Sequence, residues 1–280
     1  MTNAYRIMNG NGVAVDKYNK HFQIQFFTEE FLELEAEIAA GIEERFKPEF
    51  LVVKYRFKDK PASSKVLLGN NSKTIVEENS LKFSVDLLDT INPGLFLDIR
   101  DGRRNFAPLC AEKEVLNLFA YTCSFSVYAR MHGALKTVNV DISKKNLSKG
   151  KKNFELNGLS PLPGEFFCGS SEEYVNWALK KGKTFGAIVI DPPSFAKNGK
   201  KTFSVAKDFE PLAIKAVSLL EANGVLLLAT NYSEWSGETL QKIAIKAGCK
   251  VVKSGTQGED FPGTGQSKEN CMNYVICELL

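Results

Sequence analysis

Only two histidines, His21 and His132, occur in 280 residues, so chemistry built on several imidazoles is excluded. The six cysteines, Cys110, Cys123, Cys168, Cys249, Cys271 and Cys277, include no CxxC pair. Scattered thiols in a chain of this size point to a reducing, cytoplasmic setting and to neither a disulfide frame nor a metal site. No apolar run reaches the ~18 residues that a membrane helix needs. The start, MTNAYRIMNGNG, lacks the charged-then-apolar layout of a secretory leader. A net charge of +3 is too small to argue nucleic-acid binding by itself. The diphosphate-binding pattern GxGxxG is also missing.

What is present is a strand with an unusual end. Ala187-Ile188-Val189-Ile190 is an apolar, β-branched run of the kind buried on both faces of a sheet. Asp191-Pro192-Pro193-Ser194-Phe195 follows at once. Two prolines cannot extend a ladder, so the chain leaves the sheet and sets a carboxylate and an aromatic ring at the carboxyl edge of a strand. Ligands of open α/β sheets bind at that edge. Phe195 reads either as a ring for stacking on a planar ligand or as a core aromatic under a loop.

Around this strand the pattern alternates. Strands are expected at Val115–Phe119, Thr137–Val140, Phe166–Cys168, Gly224–Thr230, Lys250–Ser254 and Met272–Leu279. Helices are expected at Ser124–Met131, Ser143–Leu156, Ser171–Lys180, Val205–Glu221 and Gly237–Ala247. Such alternation implies an α/β fold with a doubly wound, mostly parallel sheet. The first part reads differently, as a small α+β unit. Short strands fall at Tyr5–Met8, Gly12–Asp16, His21–Phe27 and Phe50–Arg56, and Leu81–Leu87 pairs with Thr74–Val76 as a hairpin. A helix opens at Thr28-Glu29-Glu30 and runs through Glu44, and Lys58–Ser64 is a loop. The division is drawn as residues 1–86 and 87–280.

The turn after the first alternating strand, Leu116-Asn117-Leu118-Phe119-Ala120-Tyr121-Thr122-Cys123-Ser124-Phe125, contains no glycine. A diphosphate cradle is poorly supported there. Asp141 ends the next strand, where a carboxylate accepts ribose hydroxyls in nucleoside-binding sheets. It reads equally as the N-cap of the helix near Ser143. Together these features suggest a nucleoside ligand without a diphosphate.

VLNLFAYTCSFSVYA, VNVDIS, KKNFELNGL and FGAIVIDPPSFAKN together resemble class I S-adenosylmethionine-dependent methyltransferases. Among these they are most similar to the bacterial family that methylates large-subunit ribosomal RNA, some members at carbon 5 of cytosine and others at guanine. Glu78–Phe83 and Gly94–Arg103 match that family's approach to its cofactor domain. The resemblance implies a Rossmann-like methyltransferase sheet preceded by a small α+β domain on the RNA side, without the amino-terminal RNA-binding domain of many members. It implies S-adenosylmethionine as cofactor, RNA as partner and neither membrane nor metal. The oligomeric state stays open, a homodimer among the options.

By the same resemblance, Asp141 with Ile142 would hold the ribose side. Asn117, Phe119, Tyr121, Thr122, Cys123, Ser124 and Phe125 would face the cofactor, with Phe96 and Arg100 closing the pocket. Asp191, Pro192, Pro193, Phe195 and Asn231 would serve the methyl transfer. Three departures follow. Cys123 stands where the family has glycine, which would narrow the space over the cofactor. Ser170 stands where an acid contacts the adenine amino group. The place of the family's cytosine-attacking cysteine reads Leu228-Ala229-Thr230-Asn231-Tyr232-Ser233, and no cysteine lies between Cys168 and Cys249. The resemblance therefore implies transfer to a base nitrogen of ribosomal RNA. Asn231 reads either as a contact to the base edge or as a turn or cap residue. The loop Gln257–Gly263 resembles the family's substrate-mouth loop and reads equally as a surface turn. Transfer to a small molecule or protein, a non-catalytic ribosome-binding role and a nicotinamide dehydrogenase are the readings set against it.

Overall fold

The computed structural model describes residues 1–10, 12–89, 92–198, 201–259, 261 and 272–280, with the side chains of 195–201 left undescribed. Contacts divide it into two compact units. One holds Met1–Leu97 with the described residues of 258–267, and the other begins at Asp98 and holds the remainder.

The first unit is a five-stranded sheet of β1 (Ala4–Gly10), β2 (Val13–Tyr18), β3 (His21–Phe26), β4 (Phe50–Tyr55) and β5 (Ser63–Leu68), in that order. Only β3 and β4 are parallel, so they need a crossover, which α1 (Glu35–Phe46) provides. Val15, Phe22, Ile24, Leu51 and Val53 bury one sheet face with Ala39 and Ile42 of α1. The other face is polar: the Asp16 carboxylate accepts two hydrogen bonds from Arg6 and one each from Gln23 and Gln25. Buried Lys54 donates to the Asp89 carbonyl at 2.9 Å. Burial first, then the charge of Arg56, bring its pKa down to about 8. β6 (Lys73–Glu78) and β7 (Leu81–Asp86) form the expected antiparallel hairpin, with Asn79 and Ser80 both at positive φ in the two-residue turn.

Two expectations for this unit are corrected. Thr28-Glu29-Glu30 does not open the helix, because the Thr28 hydroxyl accepts the Glu30 amide in a local turn and α1 starts at Glu35. Ser63 and Ser64 belong to strand β5 and pair with Tyr55 and Lys54, so the loop before them is shorter than expected.

The second unit is a seven-stranded sheet. Its strands are β8 (Glu114–Leu118), β9 (Lys136–Asp141), β10 (Phe166–Cys168), β11 (Phe185–Ile190), β14 (Leu220–Thr230), β15 (Cys249–Thr256) and β16 (Asn273–Leu279), in the order β10-β9-β8-β11-β14-β16-β15. β16 is antiparallel to both neighbours, and the first five strands are parallel. This is the mostly parallel doubly wound α/β sheet expected. The helices α3 (Ser124–Met131), α4 (Lys144–Leu156), α5 (Ser171–Lys180), α6 (Val205–Val217) and α7 (Gly237–Lys246) connect the strands. Ile188, Ile190, Leu226 and Leu228 pack against Val175 of α5, Phe209 and Leu212 of α6 and Leu240 of α7. Two elements were not expected. α2 (Arg100–Phe106) carries no apolar period, and the hairpin β12 (Phe195–Asn198) with β13 (Lys201–Ser204) follows the double proline. Among the described residues no helix is long and apolar enough to cross a membrane.

Glu165, fully buried, anchors the start of β9. Its carboxylate accepts the Thr137 amide and hydroxyl at 3.0 Å each, the Leu162 amide at 2.5 Å and Arg130 at 2.6 Å. Removing one partner of such a set leaves buried donors and a cation unmatched. Glu165→Ala should therefore cost about 3–5 kcal/mol in urea denaturation, and Glu165→Gln clearly less. A loss below 1 kcal/mol for the alanine variant would contradict this.

Candidate cofactor and methyl-transfer site

The parallel register sets the site. Leu118 pairs with Val140 on one side and with Ile190 on the other. Phe119, Asp141 and Asp191, each one residue further on, therefore leave or end their strands at one level of the carboxyl edge. β8 is also the strand from which the chain first winds to β9 and β10 and then returns to β11, which makes this edge the switch point of the sheet.

The glycine-free turn after β8 takes a glycine-like path. Phe119, Tyr121 and Cys123 have φ of 57°, 47° and 61°, all in the left-handed region. Each costs roughly 1 kcal/mol for a residue with a Cβ, so the turn persists only where its surroundings hold it. They do so through its backbone. The Phe119 amide donates to the Ser171 hydroxyl at 3.2 Å, and the Ala120 amide to the Val140 carbonyl at 2.9 Å. The Tyr121 amide donates to Asp141 Oδ2 at 2.9 Å, and Asn153 of α4 donates to the Thr122 carbonyl at 3.0 Å.

Asp141 thus bonds to both turns at once. Its Oδ1 accepts the Ser143 amide at 2.8 Å and the Asn146 amide group at 3.3 Å. The N-cap of α4 is Ser143, whose hydroxyl accepts the Asn146 amide, so the capping alternative for Asp141 itself falls away. Three of the four or so lone-pair sites of the carboxylate are taken, and one on Oδ2 is left. Burial raises its pKa from the ordinary range, against the opposing hydrogen bonds from Ser143, Tyr121 and Asn146.

The other expected residues divide by environment. Asn117 is buried and donates to Ser126 at 2.9 Å, tying β8 to α3. Thr122 and Cys123 are buried, and the Cys123 side chain turns into the protein against α4, so the expected narrowing above the turn is corrected. Burial pushes its thiol well above the ordinary pKa. Ser124 begins α3, and Phe125 packs edge-on against Phe106. Ile142 is exposed beside Asp141. Ser170 is the N-cap of α5 and accepts the Glu173 amide at 3.1 Å. Arg100 is buried at the start of α2. Phe96 belongs to the first unit.

Asp191 is only partly open to solvent. Burial, then the negative charge of Asp98, push its pKa up to about 7, against the pull of Arg103. Pro192 is buried and Pro193 exposed, and Phe195 lies in β12 with its side chain outside the described residues. The Ser194 hydroxyl donates to Asn231 Oδ1 at 3.5 Å, which brings Asn231 to the double-proline turn and not to the helix start at Ser236. Asp260, Pro262 and Gly263 of the tail loop lie outside the described residues.

Four residues escaped sequence reading. Asp98 and fully buried Arg103 set the charge around Asp191, and Arg103 also lies 5.9 Å over the Tyr128 ring. Ser171 holds the Phe119 amide. Exposed Cys168 ends β10 in register with Asp141. Among the described residues no cluster of three or more His, Cys, Asp or Glu is placed to hold a metal.

The family profile of S-adenosylmethionine-dependent methyltransferases matches residues 23–252. The chain belongs to that family. Ribosomal RNA large subunit methyltransferase K of Neisseria meningitidis is 32% identical over 260 residues, covering 89% of this chain and 73% of that protein. YwbD of Bacillus subtilis, provisionally named a ribosomal RNA large subunit methyltransferase, is 31% identical over 298 residues, covering 100% of this chain and 74% of its own length. SMU.776, described as a candidate methyltransferase and solved with SAH, superposes with a TM-score of 0.90 at 28% identity. That match covers 99% of this chain and 76% of SMU.776.

For this methyltransferase the raised Asp191 pKa is also a stability statement. The fold favours the protonated carboxyl, so its contribution is present below the ordinary pKa near 4 and is lost as pH rises through about 7. Asp191→Asn should exceed the parent protein in urea stability by about 2–4 kcal/mol at pH 8 and match it near pH 4. Equal stabilities at both pH values would refute the assignment.

Proposed function

We propose that this enzyme transfers a methyl group from S-adenosylmethionine to a base nitrogen of large-subunit ribosomal RNA. The relatives above carry that RNA in their names. The observation that carries the choice of atom is Asn231, at the double-proline turn, where a cytosine-C5 enzyme needs a thiolate. No cysteine lies between Cys168 and Cys249, and the Cys123 thiol is buried and held protonated.

The residues fit the cofactor. The remaining lone pair of Asp141 Oδ2 suits a ribose hydroxyl, and exposed Ile142 offers apolar surface to a purine. The Ser170 hydroxyl accepts from Glu173 and keeps its proton to donate to a ring nitrogen. Asp191 is a carboxylate of raised pKa that an ammonium group stabilises in charged form. When bound, S-adenosylmethionine supplies an electrophilic methyl on sulfur. The Tyr121–Phe125 turn and Arg100 border its amino-acid end. The carbonyl oxygens of the Asp191-Pro192-Pro193 turn accept the N–H groups of the target base, and Asn231 contacts its edge. Phe195 stacks on the base once it is taken out of its helix. The target nitrogen would need alignment with that methyl and a place for its proton: its lone pair would form the N–C bond as the S–C bond breaks, and any proton it carries would pass to solvent water. The place of action is the cytoplasm, in keeping with five described cysteines that are all free.

Mass spectrometry of ribosomal RNA from cells with and without the gene should show one methylated base lost in its absence, with the methyl on nitrogen. Identical modification patterns would overturn the reading. Asn231→Ala should lower methyl transfer to undermodified ribosomal RNA at least about tenfold while leaving cofactor affinity unchanged. Unchanged turnover would remove Asn231 from the site.

A further inference from the structure

One inward stripe of α4 meets the site three times. Asn146, Gly150 and Asn153 follow at spacings of four and three residues, so they lie on one helix face. Asn146 reaches Asp141 Oδ1 at 3.3 Å, and Asn153 holds the Thr122 carbonyl at 3.0 Å. Between them, Gly150 faces Cys123. A Cβ built on Gly150 would lie 2.4 Å from Cys123 Sγ, 3.1 Å from its Cβ and 3.4 Å from the Thr122 carbonyl carbon. Gly150 is helical and buried, so its lack of a side chain answers to no backbone need. A glycine inside a helix is less favourable than an alanine, so the position asks for a reason.

Cys123 supplies it. Its φ of 61° and ψ of 29° put it in the conformation that glycine takes without strain, and its side chain is fully buried. The Sγ lies inside the protein, and the space it fills is the space that a Cβ on Gly150 would need. The glycine missing from the turn has, in effect, its counterpart one helix away.

We infer that Gly150 is a positioning residue for the cofactor turn, coupled to Cys123, so that the cysteine and the helix glycine work only as a pair. An added methyl at position 150 must push either α4 or the turn. Because Asn146 and Asn153 tie the same helix to Asp141 and Thr122, a displaced helix moves the ribose-side carboxylate and the turn together. The inference rests on the cofactor reading of this turn given above.

The test is a double-variant cycle with two readouts, calorimetric affinity for S-adenosylmethionine and thermal midpoint. The parent protein's own affinity for S-adenosylmethionine tests the underlying cofactor reading separately. Gly150→Ala should weaken cofactor affinity at least tenfold and raise the KM for the cofactor far more than it lowers kcat. Cys123→Gly/Gly150→Ala should bind within threefold of the parent protein, because the new methyl enters the space that the thiol vacates. If Gly150→Ala is not recovered folded, the double variant carries the test, and its recovery as folded, cofactor-binding protein supports the pairing. A Gly150→Ala protein with parental affinity and only a lowered midpoint would overturn the positioning role. A double variant no better than Gly150→Ala would overturn the coupling.

Discussion

The carboxylate of Asp141 accepting the Tyr121 and Ser143 amides is the interaction on which the site depends. Three residues of the turn after β8 sit in left-handed backbone, and each raises the energy by roughly 1 kcal/mol. A hydrogen bond to a charged acceptor contributes about 1.5–3 kcal/mol, so the Tyr121–Asp141 bond offsets much of that strain. The same carboxylate sets the loop that leads into α4, and α4 in turn holds the back of the strained turn. Strand end, turn and helix form one closed circuit. Glu165 fixes the far end of β9, where its carboxylate matches the Thr137 amide and Arg130.

The second half of the site is electrostatic. Asp191 shares its surroundings with Asp98 and Arg103, and burial outweighs the guanidinium, which leaves a carboxylate near neutrality. A carboxylate so placed discriminates between ligands: a cation beside it gains from the charged form, and a neutral ligand does not. α2, which carries Arg100 and Arg103, is fixed to the sheet by a chain of polar contacts. Asn105 donates to the Tyr274 hydroxyl at 2.8 Å and accepts from Lys253 at 2.9 Å. Gly255 makes room for that hydroxyl, since a Cβ there would lie 2.4 Å from it.

Much of this was legible in the residues. The alternation that predicted the doubly wound sheet came from β-branched runs of strand length separated by capped helical periods. Ser124–Met131, Phe166–Cys168 and Ser171–Lys180 agree to the residue. The Leu81 strand pairs as expected because its alternation is clean on one face. Elements without such a signal stayed hidden. α2 consists mainly of charged and small residues around a glycine, and it is set by tertiary contacts through Asn105 and Gly102. β5 is exposed along most of its length and carries little apolar alternation. At the site, the acids at strand ends were readable because their position follows from the strand pattern. The conformation of the turn was not, because Phe119, Tyr121 and Cys123 adopt backbone that their residue types disfavour. The Cys123 side chain fills the space beside Gly150, 27 positions away in sequence, and no local pattern encodes that.

The central claim is that Asp191 and Asp141 together receive a nucleoside cofactor with a cationic amino-acid end. Calorimetric titration of S-adenosylmethionine at pH 7, in two buffers of different ionisation enthalpy, tests it most directly. Asp191 is about half protonated there when free, and an ammonium beside it displaces that proton. The account predicts saturable binding with net proton release at pH 7, turning to proton uptake as the pH rises past about 8, where the free cofactor's own α-amino group is neutral and must gain a proton to bind as an ammonium. Saturable binding without proton release, or no binding at millimolar cofactor, would contradict it.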